Sequence, residues 1–294
     1  LICMKNKVKC PYCKSEKIVK RGLSPTENRG KQQRYLCKDC KKTFIQDTGF
    51  WKMKNSEEKI TMAVDMYLSN LSSRKMRNQF KRHFDLKVSH ITILDWVRKY
   101  VLKVHNYVEK LGYNFGDWFY ADETEINRAG NWDRFWACVD WDTRLITGVH
   151  YSLGDGNIEQ AVNFLKKAVS KGKPKYIQTD SAKFYPKAFH KLFYTNKIGA
   201  KGDLIVKHKI QNYQRTRIHN YKIETVFMKI KDRVDDFRGL KALWSAPILL
   251  MGLVIQHNFI ERHSTTNKVP CELAGVNLDL GINRWLGLIK LTCN

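Results

Sequence analysis

The chain is expected to be an α/β protein, with a mixed sheet flanked by helices, preceded by a small four-cysteine ribbon and a helical module. Three observations predict this. Two Cys-x-x-Cys pairs stand near the N-terminus. Stretches of helical period behind serine caps follow them. From Trp118 onward, strand-like runs give way to alternating helices and strands. A length of 294 residues suggests about two domains. A hydrophobic content of 43% is enough for a sizeable core. The sequence divides into 1–50 (ribbon), 51–108 (helical module) and 109–294 (α/β core).

Charge narrows the partners. Lys and Arg total 53 against 28 Asp and Glu, a formal charge of +25. Such an excess points to a polyanion, nucleic acid first. Residues 1–56 carry 15 basic and 4 acidic residues, and 57–105 carry 10 and 5, so the first third holds most of the excess. A membrane is not expected: the longest apolar run, near Leu243 to Ile255, contains Pro247 and is shorter than a span of about 20 residues. No secretory signal is visible, and a cytoplasmic, nucleoid-associated location follows. The chain begins with Leu1 rather than Met, which fits a non-standard start codon or a start at Met4.

Residues 8–46 read as a zinc ribbon. Cys10, Cys13, Cys37 and Cys40 form two pairs separated by 23 residues. Each pair grips one Zn2+ from a tight turn, and four thiolates leave no open position, so the metal is structural. A ribbon this small folds only with its metal. The polar stretch from Gly22 to Arg34 reads as a loop. Lys41, after the last cysteine, stands where glycine would be easier.

Residues 56–103 read as three helices. Ser56, Ser72 and Ser89 are placed to cap them, with Glu57 and Glu58 suited to the first helix dipole. Ile93, Trp96, Val97, Tyr100 and Val101 make the apolar stripe of the third. Three short basic helices resemble a helix-turn-helix module whose third helix, bearing Arg98, enters the major groove. The alternative is a helical spacer.

The core follows in order. Trp118 to Ile126 is a strand; Arg134 to Asp140 and Leu145 to Ser152 form a hairpin, with Asp140 and Asp142 as turn residues. Asn157 to Ser170 is a helix, Lys175 to Thr179 a buried strand ending at Asp180, and Ala182 to Phe193 a helix. Leu204 to Lys207 is a strand, and Ile223 to Phe237 and Leu243 to Arg262 are helices. This order matches the ribonuclease H-like fold, in which the first and fourth strands lie side by side, so Asp122 and Asp180 become neighbours. Glu224 joins them from a helix. Two strand-borne aspartates and one helix-borne glutamate suit a pair of hard divalent cations about 4 Å apart, which activates an attacking oxygen and stabilises a leaving one. Glu123 and Glu125 alternate away from Asp122 on the pleat and are set aside.

Lys231 lies seven residues beyond Glu224, nearly two turns and about 10 Å along the same helix face. That is too far for one metal pair, so Lys231 is expected to hold a DNA phosphate. Lys209 and Arg217 belong to a basic run that reads as a phosphate-contacting strip or as a solvated loop. Trp132, Trp136 and Trp141 read as packing residues rather than base-stacking platforms.

The motifs carry a specific resemblance. Tyr120-Ala121-Asp122-Glu123-Thr124, Gln178-Thr179-Asp180-Ser181 and Asn220-Tyr221-Lys222-Ile223-Glu224 with Lys231 resemble the three acidic motifs of insertion-sequence transposases of the DDE type, in the retroviral-integrase-like superfamily. Gln256-His257-Asn258-Phe259-Ile260 and Ile282-Asn283-Arg284-Trp285 resemble the tails of that family. The resemblance implies a transposase that binds terminal repeats, cuts at the element end and joins the freed 3′-hydroxyl to target DNA. It implies Asp122, Asp180 and Glu224 as catalytic ligands of two Mg2+ (or Mn2+) per active site, double-stranded DNA as partner, and a dimer or higher assembly. An inactive DNA-binding regulator and a nuclease of the same fold are the alternatives. The chain departs from the pattern in the 43 residues between Asp180 and Glu224, where an insertion near Asn196 to Asp203 is expected.

Overall fold

The two cysteine pairs seed a three-stranded antiparallel sheet of order β1-β2-β3, with β1 at Ile18–Thr26, β2 at Gly30–Cys37 and β3 at Thr43–Ile45. Its apolar centre is only Cys10, Cys37 and Phe44, with Val8, Ile18, Tyr35 and Cys40 packed around them. The stretch expected to be a loop is instead a β-hairpin. Its strands are exposed or half-buried except at Cys37, so polar residues suffice for the pairing and the apolar alternation that marks a buried strand is missing. Gly22, at positive φ, sits in the bulge between Lys20 and Leu23.

The computed structural model describes residues 8–26, 30–50, 53–197, 200–211, 221–236 and 240–293. The chain forms two compact units, Leu1–Asp65 with Leu280–Asn294, and Met66–Asp279. In the first, helix α1 (Glu57–Leu68) begins beside the C-terminal helix Arg284–Leu291. Asn283 Nδ2 donates to Thr61 Oγ1 at 2.9 Å, and Lys290 pairs with Glu57 at 3.4 Å.

In the second unit, Ser72 and Ser89 cap α2 (Ser73–Phe84) and α3 (His90–Val108), accepting from the backbone N–H of Lys75 and Thr92. Each such cap contributes about 1 kcal/mol. The buried face of α3 carries Ile93, Trp96, Val97, Tyr100 and Val101, while Arg74, Lys75, Arg77, Lys81 and Arg82 of α2 face solvent.

The mixed sheet contains β4 (Trp118–Arg128), β5 (Asn131–Asp140), β6 (Ile146–Ser152), β7 (Tyr176–Thr179) and, after a hairpin of β8 (Tyr194–Lys197) and β9 (Ala200–Leu204), β10 (Lys207–Ile210). Its order is β10-β7-β4-β5-β6. β4, β5 and β6 run antiparallel, and β7 and β10 run parallel to β4. This is the ribonuclease H-like arrangement, with β4 and β7 adjacent as expected. The β8–β9 hairpin falls where the insertion was anticipated. The strand expected at Leu204 to Lys207 proves to be the end of one strand and the start of the next. Its apolar signal comes from Leu204 and buried Val206, which straddle the turn.

Helices α4 (Ile158–Ala168) and α5 (Phe184–Phe193) cover one face of the sheet. Phe119, Ala121, Trp136, Cys138, Ile177, Phe164, Leu165, Tyr185 and Phe189 are buried together there. Each fully buried large side chain contributes roughly 1.5–3 kcal/mol. Trp136 is a core residue, its indole N–H donating to Ser152 at 2.9 Å, whereas Trp132 is 60% exposed. A Cβ on Gly148 would meet the backbone of Ala168 at 2.6 Å, so glycine lets α4 lie close on β6. Helix α6 (Tyr221–Asp236) packs on β4 and β5 from the other face through Val226, Phe227, Ile230 and Val234. Phe227 meets Phe135 edge to face.

The long helix expected over Leu243 to Arg262 is α7 (Ala246–Ile255), opened by Pro247, and then a π-helical turn, Gln256–Ile260. That turn aims Asn258 at the sheet edge. Its side chain accepts from Ile146 N and donates to Ile146 O, both at 2.9 Å, replacing a missing strand.

Candidate functional site

β4 is the central strand of the sheet, so its residues are held from both sides. It pairs with β7 from Trp118↔Tyr176 to Tyr120↔Gln178, and the pairing stops there. Continuing the same register sets Asp122 opposite Asp180, immediately past the end of β7. Parallel strands put the two carboxylates level with each other, where no further β4–β7 ladder bond closes the gap. Asp122 Oδ1 accepts from the backbone N–H of Glu123 at 2.9 Å, and Asp180 Oδ1 from that of Ala182 at 3.0 Å.

A third carboxylate belongs to this group. Ligand oxygens of Asp122, Glu123 and Asp180 lie within 4.8 Å of one another. Glu123 starts from the opposite face of the pleat, as its register requires. Its longer side chain reaches the cluster because β7 has already ended. The sequence signal for it is its place beside Asp122, which the alternation of side chains along a strand masks. Tyr185, inward-facing on α5, donates its hydroxyl to Glu123 Oε2 at 2.7 Å. Glu224 stands in the first turn of α6 and is exposed, and its negative charge is felt at Asp122.

Burial and crowding set the electrostatics. Desolvation, then the charges of Glu123 and Asp180, push Asp122 up to about 7. Desolvation also lifts Glu123 to about 6, against the Tyr185 hydrogen bond and the nearby Arg134. Burial raises the Tyr185 hydroxyl far above its ordinary value, so it stays a donor. Acidic groups so disturbed and converging in one place are what a hard divalent cation relieves. The donor set fits such an ion: carboxylate oxygens with one side open to solvent at Asp180 and Glu224.

The basic residues singled out from the sequence are dispersed. Lys231 is exposed on α6, and Lys209 is exposed on edge strand β10, its Nζ 5.2 Å from the Tyr176 ring. Arg98 pairs with Asp95 at 3.1 Å and covers the Trp244 ring at 4.4 Å. Arg217 lies outside the described residues.

The cysteines make a separate centre in the first unit. The sulfurs of Cys10, Cys13, Cys37 and Cys40 all lie within 4.8 Å of one another. Two of the gaps, Cys10–Cys40 and Cys13–Cys37, are 3.5 Å. A tetrahedral zinc with Zn–S of about 2.3 Å needs sulfurs about 3.8 Å apart, so the cluster fits zinc. The two knuckles match each other: Lys14 and Lys41 each follow the second cysteine of a pair at positive φ, 62° and 58°. The backbone N–H of Cys40, outweighing desolvation, pulls the Cys37 thiol down to about 6, while, against a backbone hydrogen bond from Ser15, burial and the neighbouring thiols push its partner Cys13 up to about 12.

A ribonuclease H-like sheet carrying one aspartate within its central strand and another just past the end of the adjacent parallel strand, with a glutamate on the covering helix, defines the acidic polynucleotidyl transferase class. Residues 117–263 match the family model described as the DDE domain. The chain belongs to this family of insertion-sequence DDE transposases. No curated protein matches it in sequence. Among solved structures, it is similar to a chain of the simian T-cell lymphotropic virus intasome in complex with PP2A regulatory subunit B56 gamma, at 14% identity and a TM-score of 0.41. That match covers 57% of this chain and 57% of the intasome chain. The HTLV-2 integrase catalytic core in complex with magnesium is similar at 14% identity in its trimeric and dimeric forms, with TM-scores of 0.38 and 0.39. These cover 56% of this chain and 99% and 100% of those chains. The likenesses are distant, and the assignment rests on the family match. No helix among the described residues is long and apolar enough to cross a membrane.

Proposed function

We propose that the chain is a DNA transposase that cuts phosphodiester bonds at the ends of its element and joins them to target DNA. The observation that carries this is the convergence of Asp122, within the central strand β4, and Asp180, just past the end of β7, with Glu224 acting from α6. Asp122, Asp180 and Glu224 hold two Mg2+, for which Mn2+ can substitute. The bound cations supply activation of the attacking oxygen and charge stabilisation of the leaving one. The chain's part is to fix three carboxylates on a rigid frame and to align DNA beside them. No covalent protein–DNA intermediate is needed.

The DNA partner is double-stranded: terminal repeats, recognised by the ribbon and by the α2–α3 module, and target DNA. Lys231 sits nearly two turns past Glu224 on α6 and holds a phosphate beside the reacting bond. Lys209, Arg217 and the exposed basic face of α2 extend the contact. Two ends must be brought together, so the active form is at least a dimer on DNA.

The test is strand cleavage of a labelled element-end duplex with Mg2+, comparing wild type with Glu224→Gln. Cleavage by wild type, lost in the variant while DNA binding persists, is expected. Equal inactivity of both proteins with tight, specific binding would instead mark a DNA-binding regulator. Cleavage without end-joined products would mark a nuclease.

A further inference from the structure

We propose that Glu123 is a third protein ligand of the cation held between Asp122 and Asp180, with Tyr185 as its positioning residue; this rests on the metal-dependent reading above. The Glu123 side chain is only 8% exposed, yet its carboxylate oxygens lie in the same 4.8 Å cluster as those of Asp122 and Asp180. Tyr185 Oη occupies Oε2 at 2.7 Å. Arg134 Nη1 stands off Oε1 at 3.9 Å, beyond hydrogen-bond distance, so Oε1 keeps lone pairs for a metal.

Charge balance argues the same way. Arg134 also faces Glu125 at 3.4 Å and Asp155 at 3.3 Å, so one guanidinium serves three carboxylates outside the aspartate pair. Glu123 therefore adds negative charge to a half-buried acidic cluster that the shared Arg134 offsets only in part. Such an arrangement is unfavourable without a cation and favourable with one. A fully buried tyrosine holds Glu123 in that place. Tyr185 is itself locked between Trp136 and Phe184, with ring centroids 6.1 and 4.8 Å away. A purely structural carboxylate would be matched by its own cation.

The experiment is Mn2+ titration of the full chain, its cysteine cluster first loaded with Zn2+, for wild type, Glu123→Gln, Tyr185→Phe and Asp122→Asn. Removing a group that orients a metal ligand costs about 10- to 100-fold in metal affinity, and losing the ligand itself is expected to cost no less. Glu123→Gln is expected to weaken Mn2+ binding by about that factor and Tyr185→Phe by less. Glu123→Gln should also raise the Tm of the Mn2+-free chain, by about 2–4 °C, because a like charge is gone. A structural role predicts the reverse, a lower Tm and unchanged affinity. Wild-type Mn2+ affinity in Glu123→Gln, alongside a loss in Asp122→Asn, overturns the proposal alone. Wild-type affinity in Asp122→Asn overturns the metal-site reading beneath it. Should Glu123→Gln not fold, Tyr185→Phe decides: unchanged affinity overturns the proposal, and loss supports it.

Discussion

The chain holds two candidate metal centres built on opposite principles. The cysteine cluster draws its four ligands from two tight turns, with one apolar residue, Phe44, buried beside them. The acidic cluster draws its ligands from β4, from the end of β7 and from α6, on a frame with a large core of its own. In the first, a bound zinc would hold the fold. In the second, the fold holds the carboxylates against their mutual repulsion, ready for the metal. A centre that supplies stability is closed and soft, and a centre that supplies chemistry is open and hard.

The sharpest way to break this contrast is to strip the metals. A chelator is expected to unfold the ribbon, because structural zinc supplies on the order of 10–16 kcal/mol in domains of this size. Amide exchange should accelerate across residues 8–45 and stay slow in β4 and β5. Equal protection in both regions after chelation would show that the ribbon does not depend on zinc.

Next in size is the loss of chemistry. Asp122→Ala should abolish metal-dependent strand cleavage, on the order of 10³-fold or more, about 4 kcal/mol of transition-state stabilisation. Activity surviving in that variant would sink the assignment of the site.

A third test sharpens the idea of stored repulsion. Burial and neighbouring charge raise Asp122 to about 7 and Glu123 to about 6 in the folded chain. Unfolded carboxyls titrate near 4. Between those values the folded chain holds protons that the unfolded chain has released, so stability falls as pH rises. The contribution is complete below about pH 4 and gone above about pH 7. Without added Mg2+, Asp122→Asn should therefore melt higher than wild type at pH 8, and by much less at pH 4.5. Thermal melts at the two pH values check this, and a uniform gain at both would refute the electrostatic cause.

The smallest effect lies in the ribbon. Lys41 at φ 58° bears a left-handed conformation that suits glycine. Lys41→Gly should stabilise the zinc-loaded ribbon, by no more than about 1 kcal/mol, read as a shift in its melting.

Local chemistry made much of this molecule legible in its sequence. Serine caps at Ser72 and Ser89, the apolar stripe of α3 and the Cys-x-x-Cys spacing each act within a few residues, so each can be read along the chain. The adjacency of the first and fourth strands also followed, because the succession of elements matches the ribonuclease H-like fold. What failed were signals that depend on neighbours. The hairpin from Gly22 to Arg34 looked like a loop, since its strands bury little. The strand near Leu204 was placed three residues early, since two strand ends share one apolar run.

The particular residues Asp122, Asp180 and Glu224 were readable as motifs, but the place of Glu123 was not. The alternation of side chains along a strand sends Glu123 to the opposite face, and sequence alone allows no exception. The tertiary structure decides otherwise because β7 stops at Thr179, leaving β4 unpaired on that side just where Glu123 begins. Covalent periodicity determines which face a residue starts from. Only the packed neighbours decide how far that face extends, and here a strand end and one buried tyrosine bring both faces to a single cluster.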